Sequence, residues 1–578
     1  MRAFVLQLTL LLALLTVCFT GSALALEVGE DVRAGLSYGS GALPSANLEN
    51  NVGSGYRFGY YDSQDQFVTL GSTAETQISM LKTQNLYLST NGSYTTSVTS
   101  NGVVGCYHVQ LPGSYDNFQA AQSAAAGLQG GFPAWVSGTY YVRAGSYATR
   151  AEAEAAQGSF GAGASVTGTS SYGITVVKTK TTNILFQFDN GDGGIFAVAP
   201  GASGEGGAKT WFKGNKYAGN FLYERIGGEN LTVVNRVSMD DYVKGLVPYE
   251  MSSSWPAEAL KAQAVCARSF VISAGTKHGN YHFDVCNTTC CQVYQGCNRA
   301  TADSDAAVDA TSGVYAWYNG EVAKTFYYAS NGGATESCQN VWTATLPYLT
   351  GKVDPYEADI ANSVSGYHWT KTFTPSQLTA QLRNRGYNCG NIVDLKVSQF
   401  TDSGNVYSIT FTDDVGKTFV FSKANARSIL GVKSMHFTIS GGSSSVTPPT
   451  PSVPDTPAEP GKQYYVDNAT TSLSNLDGVL AIGGDGKTEA LSVPIAVLTL
   501  DGVSTIQTTV PTTATNSQES SASGSSAPVT AAAGTFVVSG AGNGHNVGLS
   551  QWGAYAMAKR GYTYDQILNF YYTGIDLH

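Results

Sequence analysis

Residues 441–534 break the chain into parts that cannot all belong to one uninterrupted packed segment. Residues 441–461 hold six prolines among Ser, Thr and Gly, the composition of an extended linker. Strand character returns at 463–510, and 511–534 are Thr/Ser/Ala-rich and expected to be disordered. Ordered patterns flank this stretch on both sides. At 578 residues the whole chain has room for several domains of about 150 residues each. Charged residues make up 13%, about half the usual share, and the net charge is −10. No Lys/Arg run is present, which argues against nucleic-acid binding, because counterion release needs clustered cations. Low charge with 42% hydrophobic residues also excludes disorder of the whole chain. A Gly-, Tyr-, Ser- and Thr-rich protein of this kind suits weakly charged, polar polymers.

The first 25 residues have the layout of a signal peptide: Arg2, an apolar run from Phe4 to Phe19, and the small-residue site Ala23-Leu24-Ala25. The expectation is export to the cell wall or medium, with membrane anchoring if the signal stays uncleaved. No second stretch of about 18 apolar residues follows. Beyond Cys18 there are cysteines at 106, 266, 286, 290, 291, 297, 338 and 389. An exported chain favours disulfides. Five of the eight, however, fall between Cys266 and Cys297 around two histidines. His278, His282, Cys286 and Cys290 recur at every fourth position with Cys291 adjacent, and any four of these five residues can supply the tetrahedral N/S set of a structural zinc. Disulfides, zinc and buried free thiols all remain open, although Cys290 and Cys291 are unsuited to pairing with each other.

Residues 26–105 read as β structure with many turns and show no chemistry. An internal repeat follows. Tyr107-His-Val109-Gln-Leu-Pro-Gly113-Ser114-Tyr115 precedes an Ala/Gln-rich helical stretch at 117–128, and Tyr140-Tyr-Val142-Arg143-Ala-Gly145-Ser146-Tyr147 precedes another at 149–157. Thr149 with Glu152 forms a capping-box pattern. On these duplicated halves, residues 106–160 resemble a SPOR domain, a small peptidoglycan-binding module of βαββαβ type. The resemblance implies a sheet that holds glycan strands lacking stem peptides.

Strands are expected at 174–177, 183–188 and 231–234. The pattern then changes at Asp240. Ser254 as N-cap and Pro256 in the first turn predict a helix running to about Ala274, with Leu260, Ala264, Ala267 and Val271 on one face. Glu250 falls just before it, at a Pro-bounded bend, where a carboxylate can be a mere cap or a solvated charge. Near the C-terminus a Gly-rich loop surrounds His545. Its spacing matches neither a P-loop nor a dinucleotide fingerprint, so the glycines are expected to permit close backbone packing. Helices ending near Gly561 and Gly574 follow, the second opened by Thr563 and Gln566.

Five ordered motifs carry a second resemblance. They are Val247-Pro-Tyr-Glu250-Met251; Trp255-Pro256-x-Glu258-Ala259-Leu260-Lys261-Ala262-Gln263-Ala264-Val265-x-Ala267-Arg268-Ser269; Cys286-x-Thr288-x-x-Cys291-Gln292-Val293-Tyr294; Ser330-Asn331-Gly332-Gly333-x-Thr335-Glu336 with Val341-Trp342; and Gly544-His545-x-Val547-Gly548-x-Ser550-Gln551-x-Gly553-Ala554. Residues 231–349, 419–439 and 535–577 resemble the SpoIID/LytB family of stage II sporulation proteins D and amidase enhancers. The resemblance implies lytic transglycosylase activity on peptide-stripped peptidoglycan glycan, with Glu250 as the catalytic residue. It also raises the zinc reading, since some members bind zinc near the Cys/His segment. The chain departs from the pattern at Cys290, where His is common, and at Asn546, where Gly is common. The first departure puts the identity of the metal ligands in doubt.

The chemistry is consistent with one carboxyl group. Glycosidic cleavage needs a general acid at the leaving oxygen. A transglycosylase can use the same Glu as acid and then as base toward the muramic acid 6-hydroxyl, giving a 1,6-anhydro end. Such a Glu should be partly desolvated, with Trp255 and Tyr249 as candidate walls. Arg268, Gln292, Tyr328, Ser330, His545 and Gln551 are the candidate substrate-binding residues. No cofactor is required, and a structural Zn²⁺ is one of the readings open for the Cys/His segment. The implied partners are peptidoglycan glycan strands and a cell-wall amidase. The alternative function is a non-catalytic wall-binding enhancer of an N-acetylmuramoyl-L-alanine amidase. The expected architecture is α+β and multidomain: signal peptide 1–25, β-rich region 26–105, SPOR-like module 106–160, a mixed α/β SpoIID-like domain 165–440 continued at 535–578, and the insertion 441–534.

Overall fold

The computed structural model describes residues 26–201, 207–275, 277–442, 448–449 and 534–578, together with short paired strands between 464 and 503. The signal segment 1–25 and most of 441–533, including the stretch expected to be disordered, lie outside the described residues. Within 463–510 the strands Tyr464–Val466 and Thr471–Leu473, Leu480–Ile482 and Thr488–Ala490, and Leu498–Thr499 and Gly502–Val503 pair as antiparallel hairpins. Among the described residues no helix is long and apolar enough to cross a membrane. The fold is α+β, and its two units are residues up to Ser254 with Ala267–Val314, and Trp255–Cys266 with Tyr315–His578.

The first unit is dominated by a seven-stranded and a ten-stranded sheet. Aromatic side chains join them: Phe58 stacks on Phe186 with centroids 5.4 Å apart, and Phe188 meets Phe196 at 5.1 Å. Buried rings of this size dominate core energetics. One end of the ten-stranded sheet has βαββαβ order. Strand Tyr107–Gln110 leads to helix Phe118–Ala126 and strand Gly131–Val136. Strand Thr139–Tyr147, helix Arg150–Gln157 and strand Ser165–Gly168 follow. These strands lie side by side as fourth, first, third, second, every neighbour antiparallel.

This segment is not free-standing, in contrast to the separate module expected at 106–160. Strand Gly131–Val136 also pairs in parallel with Ile184–Asp189, so the sheet continues past it. Its helices cover one face, where Ala121 and Ala125 meet Val142. The opposite face is closed as well: Phe132 and Ala134 pack with Leu86, Tyr94 and Val104. Beside them Arg143 is 4% exposed and His108 1% exposed. Arg143 donates to Gln110 Oε1 (3.1 Å) and Gln187 Oε1 (2.5 Å), while His108 Nδ1 donates to the Gly145 carbonyl (2.8 Å) and its Nε2 accepts from Gln187. Burial pushes His108 down to about 4, so the ring is neutral.

In the second unit, strand Phe536–Ala541, which follows the 441–534 stretch in sequence, lies between His368–Phe373 and Phe437–Ser440, antiparallel to both. Its Phe536 and Val538 share a core with Leu378, Leu395, Ile409 and Leu430. A meander of Ile392–Phe400, Val406–Asp413 and Thr418–Ser422 adds a further sheet. Helices Gln551–Lys559 and Tyr564–Tyr571 close the chain. Helix Ala257–Ser273 ends where expected but starts later than the Ser254 cap implied. The Pro256 carbonyl accepts from Leu260 N, and the Ser254 hydroxyl pairs with that of Ser252 instead. The burial also exceeds one face, since every residue from 262 to 269 is buried. A helix apolar or small on most sides is an interior helix, and Gln263, Arg268 and Ser269 are buried along with the alanines.

Candidate active site and metal centre

Glu250 is positioned by a short run of capped turns in the first unit. Strand Thr232–Val237 ends at Ser238, whose hydroxyl accepts from Asp241 N and starts helix Met239–Lys244. Gly245 follows, where a Cβ would come within 2.6 Å of the Tyr294 ring. The one-turn helix Val247–Glu250 comes next, with Pro248 in its first turn. Glu250 therefore ends a helical turn, where an irregular bend was expected, and Met251 turns the chain to extended backbone at φ −128°. Glu250 is half-buried, and its Oε1 accepts from Val293 N at 3.2 Å. Behind it, Tyr242 donates to Gln292 Oε1 at 3.1 Å and packs on Tyr294 with centroids 4.6 Å apart.

The carboxylate faces a cleft of about 650 Å³ lined by Pro248, Tyr249, Glu250, Met251, Ser252–Ser254, Arg299, Thr301 and Asp303. That volume is in the range of small-ligand sites. Tyr249 supplies one wall and is held by its hydroxyl to the Gln295 carbonyl at 3.3 Å. Trp255, the other expected wall, belongs to the second unit, where its ring meets Trp552 at 4.6 Å and Tyr555 at 5.1 Å.

Arg268 and Gln292 support this site from behind; neither is presented to the cleft. Arg268 is fully buried, donating to Asp240 Oδ1 (3.1 and 2.7 Å), Thr311 Oγ1 (3.1 Å) and the Val308 carbonyl (2.8 Å). It ties helix Ala257–Ser273 to Met239–Lys244 and Ala302–Asp309, so a sugar contact would require breaking a buried charge network. Gln292 is buried between Tyr242 and the Ala267 carbonyl.

Tyr328, Ser330, His545 and Gln551 lie in the second unit. Tyr328, Ser330 and Gln551 are buried. Strand Tyr327–Tyr328 pairs in parallel with Leu549–Ser550, and Ser330 Oγ accepts from Asn543 N at 3.0 Å. His545 is enclosed by Tyr328 and Trp342, each 5.0 Å away. Its Nε2 donates to the Tyr327 carbonyl (3.1 Å) and its Nδ1 accepts from Val547 N (3.2 Å). Burial, with Arg427 nearby, pushes it down to about 4. Both ring nitrogens are thus committed to backbone, which suits the close packing expected of its Gly-rich loop. Gly544 is where a Cβ would collide with Tyr328.

The Cys/His segment resolves into four residues. The ligand atoms of His278, Cys286, Cys290 and Cys291 lie within 4.8 Å of one another. His282 is not among them: it takes a left-handed turn at φ 58°, and its Nδ1 pairs with Glu224 at 2.8 Å. All the described cysteines are free thiols, so none of the expected disulfides is formed among them. Three thiols and one imidazole form a Cys₃His set, a recognised zinc donor set, and the spacing fits gathering around one ion. His278 Nε2 stands 3.2 Å from Cys291 Sγ, and its ring stacks on Phe283 at 4.9 Å. Hydrogen bonding between Cys286 and Cys291 pushes Cys286 below the usual thiol range and Cys291 above it.

The sequence reading missed Arg299, Thr301, Asp303 and the Ser252–Ser254 hydroxyls as cleft residues. One signal was available: Thr301 with Ser304 is a helix-start pattern, and both arms of that capping box form. It places Arg299 on the turn ahead of helix Ala302–Asp309.

Residues 227–318 match the SpoIID family model, described as stage II sporulation protein. That span holds Glu250, every residue lining its cleft, and the His278/Cys286/Cys290/Cys291 cluster. The chain is similar to an uncharacterised protein of Brachyspira hyodysenteriae (28% identity, 63% of this chain, 73% of that protein). It is also similar to the amidase enhancer of Bacillus subtilis (30% identity, 69% of this chain, 53% of the enhancer) and to stage II sporulation protein D of Bacillus subtilis (28% identity, 26% and 47%). The chain thus spans about half the length of the two Bacillus subtilis relatives.

Proposed function

We propose that this protein is exported and remodels the bacterial cell wall by lytic transglycosylation of peptidoglycan glycan freed of its stem peptides, with sporulation as the setting. The observation that carries the proposal is Glu250: one half-buried carboxylate, oriented by Val293 N, at the wall of a cleft able to take sugar units. Protonated Glu250 gives its proton to the glycosidic oxygen as the bond to the muramic acid C1 breaks. The resulting carboxylate then takes the proton of the 6-hydroxyl as that oxygen bonds to C1. Glu250 is thereby returned to its starting state and the product carries a 1,6-anhydro ring. General acid–base catalysis of this kind contributes about 10² to 10⁴ in rate. His278, Cys286, Cys290 and Cys291 would hold a Zn²⁺ whose work is structural, cross-linking the segment that ends at Gln292 and Val293.

The SPOR-like resemblance of 106–160 is retained for the βαββαβ strand order alone. We assign no glycan contact to its sheet, because Arg143, His108 and Phe132 on the face away from the helices are buried beneath the chain's own strands. A second reading, an enhancer that binds the wall and stimulates an amidase, is favoured by the similarity to an amidase enhancer over 69% of this chain.

The test is digestion of purified peptide-free glycan by wild type and Glu250→Gln, with products read by mass spectrometry. Anhydro-muramyl ends that vanish in the variant are the expected result. Binding without cleavage by either protein would overturn the enzymatic reading in favour of the enhancer. Reducing ends carrying water would mean a hydrolase, with Asp303 as the carboxylate to examine next. Metal analysis of protein purified under reducing conditions is expected to give about one zinc per chain, and none after Cys290→Ser with Cys291→Ser.

A further inference from the structure

The Glu250 cleft contains one cation, Arg299, in a chain where only 13% of residues are charged. Its guanidinium carbon stands 4.7 Å from the centroid of Tyr249, the residue preceding Glu250. The Tyr249 ring and the Arg299 backbone are each held by a hydrogen bond. The Tyr249 hydroxyl donates to the Gln295 carbonyl at 3.3 Å, and the Arg299 carbonyl accepts from Ser253 Oγ at 3.4 Å. The side chain is exposed, and among the described residues no carboxylate forms an ion pair with it, although Asp303 lines the same cleft. A guanidinium lying over a ring, with no carboxylate paired to it among the described residues, keeps N–H groups for a planar, two-oxygen acceptor.

Peptidoglycan glycan offers one such acceptor. Its sugars are uncharged except at the lactyl group on muramic acid. While a stem peptide is attached, that group is a neutral amide; once the amide is hydrolysed, it is a carboxylate. In a cleft that already holds Asp303, an anionic strand would be repelled unless a cation offset the charge.

We infer that Arg299 is a specificity-determining residue that binds the muramic acid lactyl carboxylate, so that the cleft selects glycan whose stem peptides have been removed. This rests on the glycan reading of the Glu250 cleft given above.

The test uses the full chain in the Glu250→Gln background, which prevents turnover, and two probes: peptide-free glycan tetrasaccharides with free lactyl carboxylates, and the same oligomers with those carboxylates converted to methylamides. Calorimetry is expected to show the carboxylate form binding roughly 10- to 100-fold more tightly, the scale of a charge-assisted contact. Adding Arg299→Gln should abolish the preference, and Arg299→Lys should restore part of it. Equal binding of both probes, or a preference that survives Arg299→Gln in a protein with an unchanged melting temperature, would overturn the inference. The two readings fail separately. Anhydro ends from wild type with no carboxylate preference would leave the transglycosylase standing and Arg299 without this role. A preference lost with Arg299→Gln, in a protein that never cleaves, would do the reverse.

Discussion

Two carboxylates of this chain, Glu250 in the first unit and Glu357 in the second, occupy opposite surroundings. Glu250 is half-buried at a cleft wall. Glu357 is fully buried, and its oxygens accept from Asn331 N (2.8 Å), Gly332 N (3.0 Å), the Tyr367 hydroxyl (2.9 Å) and the Ser550 hydroxyl. Asp354 beside it accepts from Tyr356 N (3.0 Å), Asn331 Nδ2 (2.7 Å) and the Tyr571 hydroxyl (2.6 Å). The same functional group is thus placed at a cleft in one unit and used as mortar in the other. Glu357 and Asp354 fasten the Ser330-Asn331-Gly332-Gly333 turn to Ser550 of the C-terminal segment, so a motif rich in polar residues can be wholly architectural.

The comparison breaks most visibly under conservative substitution. Glu250→Gln should lower glycan cleavage by about 10³-fold or more and leave the urea midpoint unchanged, because an amide oxygen can still accept from Val293. Glu357→Ala should do the opposite to stability. It strips the acceptor from two backbone N–H groups and two hydroxyls, a loss of about 3 kcal/mol. Equal loss of stability from both substitutions would erase the distinction between the two sites.

Titration sharpens the contrast inside the second unit. Burial and the Asp354 charge push Glu357 up to about 7, above its ordinary value near 4.5. Its contribution to stability is therefore complete below about pH 4.5 and is lost as pH rises through 7. His545 is displaced the other way, down to about 4. Its contribution is complete above about pH 6.5 and is lost as pH falls through 4. Over about pH 4.5 to 6.5 the two contributions oppose each other, so stability across that window should rise with pH in Glu357→Gln and fall with pH in His545→Gln, by about 3 kcal/mol each relative to wild type. If both variants kept the wild-type profile, neither group would be buried in the way described.

Much of the local structure is legible in the sequence, because caps and periodicity are local signals. Thr149 with Glu152, the helix after Pro256, and the duplicated strand–helix halves all appear where their residues place them. What stays hidden depends on distant partners. The face bearing His108 and Arg143 is sealed by Leu86, Tyr94 and Val104, which no pattern within 106–160 reveals. Arg268 reads as a ligand-binding cation until Asp240 and the 302–309 helix are seen to enclose it. His282 has the right spacing for a metal ligand, but a left-handed backbone turns it toward Glu224. Arg299 was overlooked because its importance comes from Tyr249, fifty positions earlier.

The smallest expected effect compares helix starts in the two units. Thr149 and Glu152 close a capping box over helix Arg150–Gln157 in the first unit, with arms of 3.2 and 3.0 Å. Thr374 and Gln377 close the same box over Pro375–Asn384 in the second, with arms of 3.2 and 2.8 Å. Replacing either threonine by alanine should cost about 1 kcal/mol. Only the first box carries a charge at the positive end of its helix, a contribution of roughly 0.3–1 kcal/mol that salt screens. Raising NaCl from about 0.05 to about 1 M should therefore shrink the effect of Glu152→Gln toward zero and leave that of Gln377→Ala where it was, as read from paired urea titrations. A salt response of equal size in both would mean that the Glu152 arm acts as a neutral hydrogen bond, and that the two boxes are the same device despite their different third residues.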